Sequence, residues 1–515
     1  MKTAKMKGSQ VNELVVSSKN LALFHDQYRE GFVFLDHETI PLRSKKMRLY
    51  LTKRVWDAHQ KCPSAGALNQ AIDLLKAMAI FNNPQVFLCN RVGKGVQGDD
   101  SFYYDLGKGK AIRTTPQGWA VCDAPILFRR YDHQKEQVTP IQGGDQWALF
   151  EFINVEPEYR LLLLDYLISC LVPNISHPVI HPHGDHGAGK TTACVLIRDL
   201  IDPSSLMAQS IPRDFKELIQ VLAHHYFPVF DNVSSLPGWI SDVFSQACTG
   251  GGLSKRKLYT DDEDIIYSFK RPIALNAINV VVHKPDLMDR SILFPLERIH
   301  AERRKREREL WGEFENLKPS ILGGMFDTLS KAMTIYPMVQ LPWTPRMADF
   351  GAWGFAIAEA LEIGAGEKFL QAYQRNIERQ IEEVIQINAL AQAVLSFMEN
   401  QEHWQGTIGD AWKSLYKIAG PQKDPSFPKN ERALRRHLAT IRTILQHNSI
   451  FYQIYPRSKN GYPIIFTRNP AKFDSFGSPS EFPNKISQLG GERTGEANKK
   501  GDFFGSPSDS SSIKN

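Results

Sequence analysis

The pattern of apolar and polar positions changes character along the chain. Residues 1–20 are polar, and residues 21–145 combine short apolar runs with one stretch of helical periodicity, ALNQAIDLLKAMAIF at residues 67–81. The runs PQVFLCNRV, SFYYDLGKG and GWAVCDAPILFRR have the length and composition of strands between glycine-rich turns. We therefore predict a mobile tail over residues 1–20 and a small α+β accessory domain over residues 21–145.

From residue 146 to about residue 300, apolar runs alternate with helical stretches in the order helix, strand, glycine turn, helix, strand. This alternation is typical of a parallel sheet with crossover helices, so an α/β core is predicted over residues 146–300. The longest apolar stretch, LLLLDYLISCLV at residues 161–172, carries Asp165 and is shorter than the ~18 residues that a membrane span needs. It is predicted to be a buried helix, and no membrane partner is expected.

Helical patterns continue beyond the core. HAERRKRERELWGEFENL and RMADFGAWGFAIAEALEIG predict a helical lid and connector over residues 301–385. Over residues 386–469, INALAQAVLSFMEN, DAWKSLYKIA and NERALRRHLATIRTILQHN predict three helices. They precede two strands around the turn Asn460-Gly461, which together suggest a winged helix.

Residues 470–515 are rich in Ser, Gly, Pro and Lys, which predicts a disordered tail. The pentapeptide FGSPS occurs there twice, at residues 476–480 and 504–508. The repeat is either a docking motif or a chance recurrence within a low-complexity segment.

Composition adds limited information. A hydrophobic content of 42% and a charged content of 23% are ordinary for a globular chain, and 515 residues are enough for several domains. A net charge of +6 over 58.4 kDa is compatible with a polyanionic partner but is weak evidence for one. The six cysteines have no C-x-x-C pair, which favours a reducing cytoplasm.

The sharpest chemical signal is GDHGAGKT at residues 184–191, which reads G-x-x-x-x-G-K-T between a predicted strand and a predicted helix. In such a loop, backbone N–H groups around Gly184, Gly187, Ala188 and Gly189 hold phosphates at the positive end of the helix. Lys190 would meet the outer phosphates, Thr191 would bind Mg²⁺, and Thr192 follows on the same helix. The alternative is a chance match in a long chain.

Two apolar runs end in polar side chains that suit the same site. HHYFPVFDN places Asp231 after a strand, where an acid can hold Mg²⁺ at the carboxyl edge of a sheet. RPIALNAIN similarly places Asn276, which can orient water or contact a γ-phosphate. For both residues the alternative is a strand cap.

Basic residues suggest further contacts with polyanions. In KPDLMDRSILFPL, Arg290 ends a short helix and is suited to complete a neighbouring copy's site, unless it forms a structural ion pair with Asp286 or Asp289. The segment of residues 247–272 predicts an inserted hairpin that is either a nucleic-acid contact or a solvated charged surface. Its basic residues are Lys255, Arg256, Lys257, Lys270 and Arg271. A metal site at His181, His183 and His186 is less favoured, because it would compete with the phosphates.

The ordered set GDHGAGKT, FPVFDN, TGGGLSKRKLYTDDED, PIALNAIN and DLMDR resembles the superfamily 3 helicases of the AAA+ class, especially the ATPase part of primase-helicases of phages and mobile elements. The resemblance covers about residues 146–360, and the winged-helix pattern fits the family more loosely. It implies ATP and Mg²⁺ as cofactors and a hexamer that moves along one DNA strand. The implied roles are Lys190 and Thr191 in the first nucleotide motif, Asp231 in the second, Asn276 as sensor, Arg290 as trans-acting finger and Arg346 as second sensor.

Two features depart from that family. Asn232 stands where relatives often have a second acid, which leaves the water-activating residue undefined, and the hairpin turn from Asp261 to Asp264 is acidic. The amino-terminal domain has no acid cluster typical of a primase, so a primase or polymerase would be a separate partner. Further DNA contacts are expected, with a solvated helix face as the alternative, at Arg432, Arg435, Arg436 and Arg442.

The function predicted from these residues is an ATP-dependent DNA helicase of a mobile element or phage. The alternative is a nucleotide-switched initiator or regulator that binds DNA without unwinding it, which Asn232 makes plausible. A small-molecule kinase is disfavoured, because the hairpin and Arg290 would have no role in it.

Overall fold

The structure is a computed structural model that divides into two compact units, Met1–Val384 and Ile385–Asn515. Each unit is described by itself below. The structure describes residues 10–96, 98–256, 264–268, 270–277, 281–282, 284–300, 302, 304–420, 427–459 and 461–469. For residues 253–256, 264–266, 384, 387 and 443 only the backbone is described.

The amino-terminal part contains an antiparallel sheet in the order β1-β2-β3, with a core shared by three helices. Its elements are α1 (Gln10–Ser17), β1 (Ala22–His25), β2 (Gly31–Leu35), β3 (Glu38–Pro41), α2 (Lys45–His59) and α3 (Ala65–Phe81). The expectation of a single helix before residue 145 is therefore wrong. The pattern conceals α2 because its buried positions, Met47, Leu51 and Val55, are separated by Lys and Arg.

A second antiparallel sheet follows as a meander. It consists of β4 (Val92–Lys94), β5 (Phe102–Gly107), β6 (Lys110–Thr115) and β7 (Gly118–Asp123). Tyr104, Ile112 and Trp119 of this sheet belong to the same hydrophobic cluster as the helices that follow. The second sheet is thus packed onto the rest of the first unit through a common core.

The central element of the first unit is a four-stranded sheet in the order β13-β8-β12-β9, with all paired strands parallel. The prediction of a mixed α/β fold with a parallel sheet and helices is confirmed. This region comprises a 3₁₀ helix (Gln146–Glu151), α4 (Pro157–Ser169), β8 (Val179–His183), α5 (Lys190–Ile201), α6 (Phe215–His224), β9 (Val229–Phe230), α7 (Gly238–Thr249), β10 (Leu253–Arg256), β11 (Asp264–Tyr267), β12 (Ala274–Leu275), α8 (Pro285–Met288) and β13 (Ser291–Pro295).

The predicted buried helix is α4, and the predicted inserted hairpin is the antiparallel pair β10 and β11. Strands β9 and β12 are only two residues long, much shorter than the apolar runs that contain them. The acidic turn at Asp261 falls outside the described residues.

Three long helices complete the first unit: α9 (Glu307–Ile335), α10 (Ala348–Leu361) and α11 (Ala365–Ile387), of which α11 extends into the second unit. A Cβ atom at Gly323 of α9 would lie 1.6 Å from the carbonyl oxygen of Ile141. Only glycine therefore allows the segment before the 3₁₀ helix to approach α9 so closely.

The second unit contains helices and a three-stranded antiparallel sheet in the order β14-β16-β15. Its elements are α12 (Ala389–Phe397), β14 (His403–Thr407), α13 (Ile408–Ala419), α14 (Glu431–Thr440), α15 (Arg442–His447), β15 (Phe451–Ile454) and β16 (Pro463–Thr467). The single helix predicted over residues 430–448 is wrong, because the chain leaves the helical conformation at Ile441. Strand β14 is a further element that the pattern does not predict.

None of the helices in the described parts of the chain is long and apolar enough to cross a membrane.

Candidate nucleotide-binding site

The glycine-rich loop joins the end of β8 to the start of α5, at the carboxyl edge of the parallel sheet. Gly184, Gly187 and Gly189 have φ angles of 141°, 84° and 75°, a region in which side chains are strained. A Cβ atom at Gly184 would also lie 2.6 Å from the carbonyl oxygen of Leu296. The glycines thus permit a tight turn that ends at the positive amino terminus of α5, where an anion is stabilised.

Lys190, the first residue of α5, lies across this loop. Its Nζ donates hydrogen bonds to the carbonyl oxygens of Gly184, at 2.8 Å, and Asp185, at 2.9 Å. The ammonium group is therefore held at the loop by weak neutral acceptors. A phosphate oxygen is a stronger, charged acceptor for the same donors.

Two side chains that follow strand ends, Asp231 and Asn276, meet Thr191 of α5 beside the loop. Thr191 Oγ1 donates to Asp231 Oδ1 at 3.1 Å, and Asn276 Nδ2 donates to Thr191 Oγ1 at 2.9 Å. Asn276 Nδ2 also donates to Asp231 Oδ1. The parallel order of β8, β12 and β9 brings these residues together, because the carboxyl ends of parallel strands share one edge.

Two details of this cluster bear on its chemistry. Asn276 is 4% exposed, and its Oδ1 has no hydrogen-bond partner among the described groups. Asn232, whose φ is 54°, donates its backbone N–H to Asp231 Oδ1 at 2.9 Å. A hydroxyl and a carboxylate at hydrogen-bond distance are hard oxygen donors of the kind Mg²⁺ prefers, so Thr191 and Asp231 fit that ion.

A cleft of about 1060 Å³ extends from the loop and is large enough for a nucleoside. Gly187, Ala188, Gly189, Thr191 and Thr192 form one side of it. The opposite side includes residues that the motifs do not reveal: Phe150, Phe152, Arg160, Arg304, Lys305 and Trp311.

Aromatic and basic groups are adjacent within this opposite side. Lys305 Nζ lies 5.7 Å from the ring centroid of Phe152, and the guanidinium of Arg160 lies 5.3 Å from that of Phe150. Such surfaces suit a flat, electron-rich base. The sequence feature that could have revealed this part of the cleft is the run of aromatic residues before α4. Their spacing alone suggests residues packed in a core.

Arg290 and Arg346 lie elsewhere. Arg290 precedes β13, whose first residue pairs with Val179 at the start of β8. The loop begins five residues later, at Gly184, so the two sites are separated by about 17 Å along the strand at ~3.3 Å per residue. The structure thus does not bring Arg290 to the loop of its own chain.

The two arginines share an acidic partner. Arg290 forms an ion pair with Asp286, and Arg346 NH2 lies 2.8 Å from Asp286 Oδ1. Burial raises the pKa of Asp286, but the hydrogen bond and charge of Arg290 outweigh it, so the pKa lies below its ordinary value. For Asp289, burial outweighs the charges of Arg346 and Arg290, so its pKa is raised. Arg346 therefore lies near Arg290, at the edge of the parallel sheet opposite the glycine-rich loop.

The basic residues at the inserted hairpin are partly engaged in the fold. Lys270 Nζ donates to the carbonyl oxygen of Asn174 at 3.0 Å, and Arg271 Nε donates to that of Leu222 at 3.0 Å. Lys255 and Arg256 belong to β10, and Lys257 lies outside the described residues.

The loop histidines form no metal cluster. His181 Nδ1 is 2.9 Å from the carbonyl oxygen of Leu275, and His183 Nε2 is 3.3 Å from Glu383 Oε1. No group of three or more His, Cys, Asp or Glu able to hold a metal is found in the described chain.

The arginines predicted in the second unit divide into two pairs. Arg435 and Arg442 lie over the rings of Tyr462 and Tyr452, at 4.2 and 4.9 Å from the centroids. Arg432 and Arg436 instead line a groove of about 640 Å³. Lys429 lines the same groove.

Comparison with known families gives two matches. Residues 146–381 match the family model of the actinomycete integrative conjugative element replication protein, and residues 390–479 match the model of its C-terminal domain. No curated protein matches the chain.

Several solved structures are similar at low identity. The apo structure of the NrS-1 C-terminal region is 11% identical with a TM-score of 0.40, and the match covers 88% of this chain and 98% of that one. SCCmec type IV Cch, described as an active helicase, is 11% identical with a TM-score of 0.42, over 88% and 93% of the two chains. The JCV helicase is 16% identical with a TM-score of 0.24, over 45% and 59%.

Proposed function

We propose that this chain is an ATP-dependent DNA helicase with an AAA+ core of the superfamily 3 type, acting in the replication of an integrative conjugative element. The observation that carries the proposal is the meeting of Thr191, Asp231 and Asn276 beside a glycine-rich phosphate loop. Phosphate binding alone would not need three polar side chains at one sheet edge, whereas nucleotide hydrolysis does. The replication family models that match both units support the biological setting.

In this proposal the chain's own residues position the triphosphate. The N–H groups of the loop and the Lys190 ammonium bind the phosphates, and the aromatic side of the cleft holds the base. Mg²⁺, held by Thr191 and Asp231, would neutralise the charge on the phosphates. Asn276 has a free acceptor in Oδ1, which suits it to orient the attacking water.

We further propose a ring, with a hexamer as the expected size, in which each nucleotide site is completed by Arg290 of a neighbouring copy. The position of Arg290 at the far edge of the sheet supports this arrangement, because its own chain's loop is about 17 Å away along β8. Arg346, which shares Asp286 with Arg290, would act from the same side. The inserted hairpin would contact a DNA strand, and the second unit, as a winged helix, would contact DNA through Arg432 and Arg436.

The test is unwinding of a forked duplex together with ATP hydrolysis, measured for the native chain and for two variants. Lys190→Ala and Arg290→Ala should each lower turnover by about 10³-fold or more. A mixture of the two variants should recover part of the activity, because intact loops then meet intact arginines at some interfaces. Arg375→Ala, an exposed change on α11, is the control and should be neutral.

The result also separates the alternative function. If the native chain binds ATP and assembles on DNA but unwinds nothing, it is the nucleotide-switched initiator. If the mixture of variants recovers no activity although each variant still assembles, Arg290 does not act on a neighbouring site.

A further inference from the structure

One short segment of the amino-terminal part is strongly basic. Residues 43–61 contain seven Lys or Arg residues and one Asp, which gives a net charge of +6. The whole chain has the same net charge of +6. The other residues therefore sum to no net charge, and this segment is a local concentration of positive charge that attracts a polyanion.

Helix α2 occupies most of the segment and presents two distinct faces. Met47, Leu51 and Val55 are buried against the amino-terminal core. The opposite face carries exposed residues at spacings of four, four and three, which place them on one side of a helix. They are Lys45, Leu49, Lys53 and Trp56.

The exposed face of α2 includes two large apolar side chains. Leu49 is 60% exposed and Trp56 is 47% exposed, although both lie on a helix with a well-packed inner side. An exposed aromatic side chain one helical turn after a lysine gains little from contact with water alone. It is suited to stack on a nucleic-acid base while the lysines bind phosphates.

The carboxylates near α2 do not block this role. Lys46 pairs with Glu38 and Lys53 with Asp57, and in each pair both side chains are more than a third exposed. Exposed pairs of this kind contribute about 0–1 kcal/mol, so a nucleic-acid phosphate can replace the carboxylate.

We propose that the exposed face of α2 is a binding surface for single-stranded DNA, in which Lys45, Lys46 and Lys53 contact phosphates and Trp56 stacks on a base. The surface lies apart from the phosphate loop and from the inserted hairpin along the chain. It gives the amino-terminal part a role in holding the strand, and it does not require ATP hydrolysis.

The experiment compares the full chain with a triple variant, Lys45→Gln, Lys46→Gln and Lys53→Gln, by anisotropy of a labelled single-stranded oligonucleotide over a range of salt concentrations. Loss of three phosphate contacts should reduce the slope of log K against log salt by about 2. Trp56→Ala should weaken binding by about tenfold at every salt concentration. The control is a second triple variant in the same part of the chain, with equally exposed, paired lysines: Lys94→Gln, Lys108→Gln and Lys110→Gln.

The outcomes are distinguishable from those of the proposed function. All measurements are repeated in the Lys190→Ala background, where DNA binding through α2 should persist without nucleotide binding. Equal salt slopes for the two triple variants would overturn the proposal. So would undiminished oligonucleotide binding accompanied by α2-dependent binding to phosphatidylserine vesicles, since the basic face would then recognise a membrane surface.

Discussion

Replacement of Arg91 by methionine should destabilise the first unit strongly, although Arg91 is remote from the nucleotide cleft. The side chain is 1% exposed and enters the fold between the second antiparallel sheet and the end of α5. Its Nε lies 3.0 Å from Asp202 Oδ1, and its two terminal nitrogens donate to the carbonyl oxygens of Asp105, Lys135 and Pro203.

The magnitude follows from what the substitution leaves behind. Asp202 would keep N–H donors from Tyr226 and Phe227, at 3.0 and 3.2 Å, and a distant Arg198 at 3.9 Å. It would lose its one direct cation, and removal of one partner of a buried ion pair costs about 3–5 kcal/mol. We expect a loss of that size, because the carbonyl groups bonded by Arg91 also lose a donor.

Urea unfolding followed by tryptophan fluorescence measures the effect. Arg113→Met is a matched control on β6 of the same sheet, because Arg113 is half exposed and pairs with Asp99 at 3.5 Å. That change should cost no more than about 1 kcal/mol. Adding Asp202→Asn to Arg91→Met should restore part of the loss by removing the uncompensated charge. A loss for Arg91→Met no larger than that of the control would refute the reasoning.

Three further predictions concern other parts of the first unit. Gly323→Ala should lower the free energy of urea unfolding by several kcal/mol, because the new Cβ atom would meet the carbonyl oxygen of Ile141. Gly312→Ala on the same helix has open space around it and should raise that free energy by about 0.5–1 kcal/mol. Equal effects of the two changes would contradict this reasoning. Asn276→Ala should lower phosphate release by about 10²-fold with nucleotide affinity retained, and turnover within threefold of native would exclude a role in hydrolysis. Burial raises the pKa of Asp202, but the charges of Arg91 and Arg198 outweigh burial, so the pKa in the folded chain lies below its ordinary value. The ionised Asp202 therefore adds to the free energy of unfolding above the unfolded pKa near 4, and this contribution is lost as pH falls through the folded pKa. Unfolding measured from about pH 6 down to about pH 2 should therefore show an acid loss below about pH 4, and Asp202→Asn should reduce that loss.

The sequence predicts the parallel sheet well because glycines and polar residues mark the ends of its strands. The glycines before Lys190 and the polar residues that end each apolar run are local signals, and the strands they delimit are buried between helices. By contrast, the buried positions of α2 are Met47, Leu51 and Val55, and charged or exposed residues separate them. Their pattern depends on which face meets the core, which is a property of tertiary packing.

The candidate site was predictable in part for the same reason. Thr191, Asp231 and Asn276 follow motifs that are contiguous in the sequence, and their meeting requires only the strand order. The aromatic side of the cleft combines the 3₁₀ helix with the start of α9, segments that are about 150 residues apart in the chain. No local periodicity connects them, so Phe152 and Lys305 become neighbours only in the folded chain.

The short strand β12 gives the proposed motor a direct mechanical link. Asn276 follows β12 at the nucleotide edge, and Arg271, five residues earlier, is anchored to α7 by its N–H bond to Ala247. Tyr267, just before, ends the inserted hairpin and lies 5.4 Å from the ring of Tyr28 in the amino-terminal part. In the proposed motor, a shift of Asn276 with the state of the nucleotide would have a short path along the chain to the hairpin base at Tyr267, and from there through the ring of Tyr28 to the amino-terminal part that carries α2.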